Sequence, residues 1–345
     1  MEKIDIKSKL PDEITGILES MGEKAFRGEQ VFRWLHGGVR SFDEMTNLPA
    51  RLRERLGCEF YITAPGIAAK QVSGIDGTVK YLWRLADGVM IESVVMEYEH
   101  GTSVCISTQA GCRMGCAFCA STIGGLVRDL SASEMIDQVL FSQIDIGRRI
   151  SSIVLMGIGE PLDNFDNVMR FAVLANNPIG LNIGARHIVL STCGITKYID
   201  KLAGCGIQLS LAVSLHAPDD DTRRLLMPVA HEITVSGLLA ACSRYSDKTG
   251  RRVTYEYALI DGVNDTAKHA GELSRKLKNS GAHLNIITLS DVPGRRFKPS
   301  SRKAADAFAR ELKRNGINYT VRRKLGADIE ASCGQLRNRG VQTEN

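Results

Sequence analysis

From residue 103 onward the chain alternates short apolar runs with amphipathic stretches, and no other feature limits its fold as tightly. The runs are SVCIST, SSIVLMG, RHIVLST, QLSLAVSLH, RVTYEYALI and HLNIITLS, each followed by a segment of helical periodicity, from ASEMIDQVLFSQI to SRKAADAFARELKRNG. Apolar runs of this length separated by helices are the pattern of βαβ units, in which each parallel strand is reached through a right-handed crossover. Six buried strands are expected. A barrel and an open doubly wound sheet share this linear pattern, so the positions of the chemical motifs decide between them. Barrels gather chemistry on the loops after strand C-termini, and QAGCRMGC, GIGEP, STCG and SLHAP each directly follow an expected strand. The expected fold is therefore α/β, a partial (β/α)6 barrel.

The first hundred residues read differently: helical patterns PDEITGILESMG, FRGEQVFRWLHGG and LPARLRERLG, then the alternating segments TVKYLWRLA and VMIESVVMEY. Residues 1–100 are expected to form a small mixed accessory unit, and residues 101–345 the barrel with a C-terminal loop carrying Cys333. A chain of 345 residues with 43% apolar content can bury a core of that size. No apolar run approaches the ~20 residues a membrane helix needs, and the charged opening MEKIDIKSKL does not read as a secretory signal. A soluble, cytoplasmic protein is expected, its nine cysteines serving as thiols.

Positive charge is concentrated. The stretch 294–324 holds eleven Lys or Arg against two acids, a local +9 in a chain of net charge +5, which leaves −4 elsewhere. Such a cluster can hold phosphates by counterion release, or it can be a solvated helix face. The low aromatic content, 6%, gives no support to broad base-stacking platforms.

Cys112, Cys116 and Cys119 are spaced C-x3-C-x2-C on a loop whose Gly111 and Gly115 let the backbone wrap closely. A structural zinc site closes with four ligands, whereas a cubane iron–sulfur cluster takes one cysteine per iron. Three cysteines leave one iron open, a position that can bind S-adenosylmethionine and reduce it to a radical. The spacing also admits a zinc site completed by a distant His or Cys, or three unrelated thiols.

C-x3-C-x2-C after the first barrel strand resembles the signature of radical S-adenosylmethionine enzymes. GEKAFRGEQVFRWLHGGVRSFDEMTNLP, CAFCASTIGGLVRDL, MGIGEPLDN, SLHAP, DGVND and DIEASCGQL together resemble the RlmN family over nearly the whole chain. The resemblance implies a partial barrel preceded by a small helical accessory domain that binds RNA. It further implies one [4Fe–4S] cluster on Cys112, Cys116 and Cys119, two S-adenosylmethionine molecules per turnover, and methylation of adenine carbon 2 in 23S ribosomal RNA and transfer RNA. By the same resemblance Cys333 takes a methyl group from the first S-adenosylmethionine. A radical from the second then activates that methyl, and the carbon adds to the base. Cys105 releases the product from the covalent protein–RNA adduct, leaving a Cys105–Cys333 disulfide for other thiols to reduce. An electron donor such as flavodoxin and a monomeric enzyme are also implied.

Glu92 is the proton acceptor by family position. Gly159 and Glu160 would hold the methionyl end of S-adenosylmethionine, with Ser191, Ser214, Leu215 and His216 contacting the same molecule. Ser290 stands where the family commonly has an Asn, and Ile158 where Met is more usual. Taken from the residues alone, Cys105 is a small buried hydrophobe, Glu92 a solvent-facing strand residue and His216 a satisfied surface group. Cys58, Cys193, Cys205 and Cys242 belong to no motif. Competing expectations are a related enzyme that methylates carbon 8 of the same adenine and confers antibiotic resistance, a non-catalytic iron–sulfur protein that binds RNA, and a zinc-bearing RNA-binding module.

Overall fold

The computed structural model describes residues 3–336. A short strand β1 (Ile4–Asp5) is followed by helices α1 (Pro11–Ser20), α2 (Phe26–His36) and α3 (Ala50–Glu59), then β2 (Phe60–Tyr61), which pairs parallel with β1. Pro11 occupies the first helical position, where a missing amide is harmless, and Asp12 and Glu13 sit at the positive end of the α1 dipole. Three antiparallel strands come next, β3 (Gly66–Val72), β4 (Val79–Arg84) and β5 (Met90–Tyr98), leading into β6 (Gly101–Cys105). A small hairpin, β7 (Gln109–Gly111) and β8 (Leu126–Asp129), flanks the three-cysteine loop.

The alternation then runs as expected: α4 (Ala132–Ile146), β9 (Ile150–Leu155), α5 (Phe165–Asn176), β10 (Ile188–Thr192), α6 (Thr196–Leu202), β11 (Ser210–Ser214), α7 (Asp220–Leu226), α8 (Val235–Thr249), β12 (Thr254–Leu259), α9 (Ala267–Leu277), β13 (His283–Thr288), α10 (Arg302–Arg314) and β14 (Tyr319–Val321). Local chemistry sets these bounds. Ser131, Thr234, Thr266 and Ser301 each accept a hydrogen bond from the amide three residues on, capping α4, α8, α9 and α10, while Gly147 and Gly250 end α4 and α8 in the left-handed conformation.

One ten-stranded sheet results, in the order β14-β13-β12-β11-β10-β9-β6-β5-β4-β3. Strands β6 and β9 to β14 are all parallel, the arrangement of a partial (β/α)6 barrel with the short β14 added at its edge. All six expected apolar runs are strands of this sheet. The segments TVKYLWRLA and VMIESVVMEY, grouped by sequence with the N-terminal helices, continue it as β4 and β5. A tight return at residues 99–100 can only join antiparallel neighbours, so β5 lies against β6 with Val94 opposite Cys105.

The N-terminal helices pack on the outside of the barrel. Ile14, Leu18, Phe32 and Leu35 belong to the same apolar core as Met135, Val139 and Phe171 from α4 and α5. Within this contact lies a fully buried ion pair, Lys7 Nζ to Asp137 Oδ1 at 2.7 Å, with Lys7 also donating to the Thr63 carbonyl at 2.6 Å. Among the described residues no helix is long and apolar enough to cross a membrane. Lys7→Met leaves the Asp137 carboxylate buried without its cation and is expected to destabilise the chain by about 3–5 kcal/mol. Chemical denaturation checks this, and the double variant Lys7→Met/Asp137→Leu, which buries no charge, recovers most of the loss.

Candidate active site

The C-terminal ends of the parallel strands surround a cavity of about 150 Å³. Cys112, Cys116 and Cys119 line it together with Gly159, Glu160, Ser191, Ser214 and His216. The cysteine loop is shaped by glycine: Gly111 has φ +78°, and a Cβ there would lie 2.0 Å from the Gly125 carbonyl oxygen. Gly159, at φ +111°, is equally constrained, since its Cβ would fall 2.7 Å from the Gln109 Cβ. Its close neighbour is thus the strand entering the cysteine loop.

Burial pushes the Cys112 thiol up to about 12 and raises Cys116 and Cys119, with Cys119 also raising Cys112 and Cys116 by charge repulsion. A bare trio of buried thiolates is costly, and a cationic iron core is the partner that would stabilise it. Among the described residues no three His, Cys, Asp or Glu converge tightly enough to hold a single metal ion. The three thiols line the same cavity, and one sulfur for each of three irons is the ligand set of a cubane that keeps one iron open.

Glu160 is buried, and its carboxylate is fixed by the amides of Cys193 (2.7 Å) and Leu162 (2.9 Å). Burial raises its proton affinity against these bonds, and a ligand ammonium would restore the charged form. His216 departs from its reading as a surface group. It is buried at φ +55°, and its Nδ1 accepts from the Ala258 amide at 2.9 Å, which leaves Nε2 as the protonated nitrogen. Burial, with a smaller repulsion from Arg223, lowers its pKa to about 3.

Leu215 and Ser290 are close by but outside the residues lining this cavity. Leu215 is buried with its carbonyl accepting from Arg223, and the Ser290 hydroxyl is buried without a hydrogen-bond partner. Glu92 is also buried, not solvent-facing. It pairs with Lys80 at 3.0 Å, and Ser107 Oγ donates to its carbonyl at 2.6 Å.

A second, smaller cavity adjoins the first. Cys105 and Cys333 both line it, and Cys333, Met156 and Ile287 belong to both cavities. Burial, then repulsion from Cys333, pushes the Cys105 thiol up to about 12. Val94, Met96, Leu325 and Leu336 make its walls apolar, while Arg322, Arg323 and Lys324 supply cations. Glu92 lines neither cavity.

Sequence reasoning missed several residues. Arg223, fully buried, donates to the carbonyls of Cys193 (2.7 Å), Ser214 (3.3 Å), Leu215 (3.3 Å) and Ile233 (3.2 Å), stapling the loops after β10 and β11. Arg295, counted by sequence within the basic cluster, turns inward and donates to the Cys119 carbonyl (2.7 Å) and Thr122 Oγ1 (2.5 Å). Glu256 lines the first cavity beside Arg322, 3.8 Å away. Cys193, assigned to no motif, forms part of that cavity wall. No periodicity or spacing marks these positions.

Two outcomes follow from this geometry. Arg295→Met removes the clamp on the cysteine loop and is expected to lower iron and sulfide retained per chain after desalting. For the two buried histidines, His216 and His36, the folded pKa of about 3 lies below the unfolded 6.5, so protons favour the unfolded chain between these values. Their contribution is complete above pH 6.5 and is lost as pH falls toward 3, by up to ~1.4 kcal/mol per pH unit for each. Urea titrations at pH 7 and pH 5 check this, with His36→Phe lowering the slope by about one proton.

Residues 106–274 match the model of the radical SAM superfamily, and residues 6–62 match the ribosomal RNA large subunit methyltransferase N-terminal domain. The chain is 53% identical to a probable dual-specificity RNA methyltransferase RlmN of Alkaliphilus oremlandii, over 99% of this chain and 100% of that protein. It is 50% identical to the protein of the same description from Lachnoclostridium phytofermentans, over 97% and 95%. The crystal structure of a radical SAM methyltransferase from Sphaerobacter thermophilus superposes with a TM-score of 0.92 at 41% identity, over 98% of this chain and 99% of that one. These likenesses span both the accessory helices and the barrel, and the chain belongs to the RlmN family of radical S-adenosylmethionine RNA methyltransferases.

Proposed function

We propose that this RNA methyltransferase acts on carbon 2 of adenine in 23S ribosomal RNA and transfer RNA, using Cys333 as methyl carrier and Cys105 as resolving thiol. The observation that carries the reading is the placement of Cys333 on the wall shared by two cavities, with Cys105 on the second. The first cavity suits a [4Fe–4S] cluster on Cys112, Cys116 and Cys119, together with S-adenosylmethionine against Glu160, Ser191, Ser214 and His216. When bound, this pair would supply a 5′-deoxyadenosyl radical, with a flavodoxin-like donor providing the electron. Two S-adenosylmethionine molecules serve each turnover, one as methyl source and one as radical source.

The chain's own residues do the rest. Cys333, as a thiolate, takes the first methyl by displacement and presents it to the second cavity, whose apolar walls suit the face of a flipped adenine. Carbon 2 is electron-poor and is not a nucleophile toward a sulfonium, so the carbon must arrive already attached to the protein. Once it is joined to the base, the adduct loses the ring proton and one electron, which the bound cluster would accept; Cys105, as a thiolate, then attacks the Cys333 sulfur and the carbon–sulfur bond breaks. Its electron pair stays with the carbon, which takes a proton, and a disulfide remains for an external thiol to reduce. Glu92 is proposed as acceptor of the ring proton, from its place on β5 two residues before Val94, which faces Cys105. Residues 1–100 are proposed to supply the accessory RNA-binding unit, and the enzyme to act as a monomer.

Anaerobic turnover with RNA tests the scheme. Cys105→Ala is expected to accumulate a covalent protein–RNA adduct, and Cys333→Ala to form none. Turnover of Cys105→Ala at the parental rate would overturn the relay, and mass mapping of the modified base separates carbon 2 from carbon 8.

A further inference from the structure

The loop that carries Cys333 is held at both ends. On the C-terminal side the Ala120 amide donates to the Gly334 carbonyl at 2.7 Å and Ser121 Oγ to the Leu336 carbonyl at 2.7 Å, both from the turn directly after Cys119. On the N-terminal side the partner is the β3–β4 turn, some 250 residues earlier and remote from every motif the function uses. Ser73 Oγ and the Gly74 amide donate to the two oxygens of Asp328, at 2.7 and 2.9 Å. In return the Gly326 amide donates to Asp76 Oδ2 at 2.9 Å. The exchange is reciprocal: a carboxylate of the loop grips the turn, and a carboxylate of the turn grips the loop.

The turn is preorganised for this. Ser73 Oγ also accepts from the Ile75 amide at 3.1 Å, and Asp76 Oδ1 from the Thr78 amide at 3.0 Å. At the next step along β4, Lys80 Nζ donates to the Glu330 carbonyl at 3.0 Å, three residues before Cys333. Bonds to ionised carboxylates are the stronger kind, and two placed head to tail fix a direction as well as a distance. Between the two anchors lie Cys333 and the wall it shares with both cavities.

We infer that the β3–β4 turn is the positioning element of the carrier loop, with Ser73, Asp76 and Asp328 setting where the Cys333 sulfur stands relative to the two cavities. This rests on the reading of Cys333 as methyl carrier. None of the three touches the cysteine loop or lines either cavity, so they act through the loop and not on substrate. A sulfur displaced by about 1 Å should lose methyl acceptance steeply while the cluster is untouched.

The test uses the full-length, iron-loaded protein. Incubation with S-adenosylmethionine is followed by mass analysis of the peptide containing residue 333, and turnover with RNA is scored as 5′-deoxyadenosine released per methyl transferred. Asp328→Ala is expected to slow methylation of Cys333 about tenfold or more and to raise the ratio of 5′-deoxyadenosine to product, at parental iron content. Ser73→Ala shifts both in the same direction, and Ser73→Thr, which keeps the hydroxyl, restores them. If Asp328→Ala does not fold, Ser73→Ala decides the matter, with faster amide exchange across residues 326–336 as the structural readout. Parental methylation rate and parental ratio in the folded variants overturn the positioning role alone. Absence of any methyl on Cys333 in the parent protein overturns the carrier reading and this inference with it.

Discussion

Strand β6 hydrogen-bonds antiparallel to β5 on one edge and parallel to β9 on the other, and Cys105 takes part in both pairings, opposite Val94 and opposite Val154. The rest of the molecule depends on that seam. It joins the antiparallel extension β3–β5 to the parallel barrel, so a thiol at its C-terminal end lies at the barrel mouth and beside the extension at once. The extension in turn brings the β3–β4 turn to the loop that carries Cys333. A one-residue slip in β6 would turn Cys105 to the opposite face of the sheet. Packing resists such a slip through Val94, Met96, Cys105, Ile158, Ala331 and Leu336, which form one apolar cluster across β5, β6, the loop after β9 and the loop that carries Cys333.

The mouth of the barrel is built with buried polar groups that leave little freedom. Arg223 satisfies four backbone carbonyls from a fully buried position, and Asn264 donates to the carbonyls of His216 and Ala258 at 2.7 Å while accepting from the Ile260 amide at 2.8 Å. Loops after strands would otherwise present orphan carbonyls to a dry interior, each costing more than a typical hydrogen bond returns. The positive φ of His216 is tolerated for the same reason, because both its ring and its backbone carbonyl are held. Rigidity at these loops keeps the walls of the first cavity in place before any cofactor enters.

The periodic parts of this architecture were legible in the sequence. Six apolar runs gave six parallel strands, because buried strands between helices leave a linear signal that long-range contacts do not alter. The three cysteines and Glu160 fall on loops that directly follow strands and line one cavity, whereas His216, a surface group when read from the residues alone, is buried there. Pairings across long sequence separations were not legible. Nothing in TVKYLWRLA shows that it joins the barrel sheet, because an alternating strand does not name its neighbour. Arg295 illustrates the same limit. Within a run of basic residues it looks like part of a phosphate-binding face, yet its guanidinium binds the cysteine loop, a contact spanning 176 residues.

The inward turn of Arg295 and Arg322 separates two uses of one basic stretch. These two are half-buried, Arg295 against the cysteine loop and Arg322 at the second cavity, while the other nine Lys and Arg of 294–324 are exposed. Exposed cations on α10 and around β14 can meet a phosphate backbone at little desolvation cost, whereas a buried guanidinium must be compensated locally, as Arg322 is by Glu256 at 3.8 Å. Arg323 and Lys324 continue the exposed charge to the edge of the second cavity, next to Arg322. Cations and apolar side chains thus share one lining, Arg322, Arg323 and Lys324 beside Val94, Met96, Leu325 and Leu336, and a ligand that carries an anionic group on an apolar body would match both.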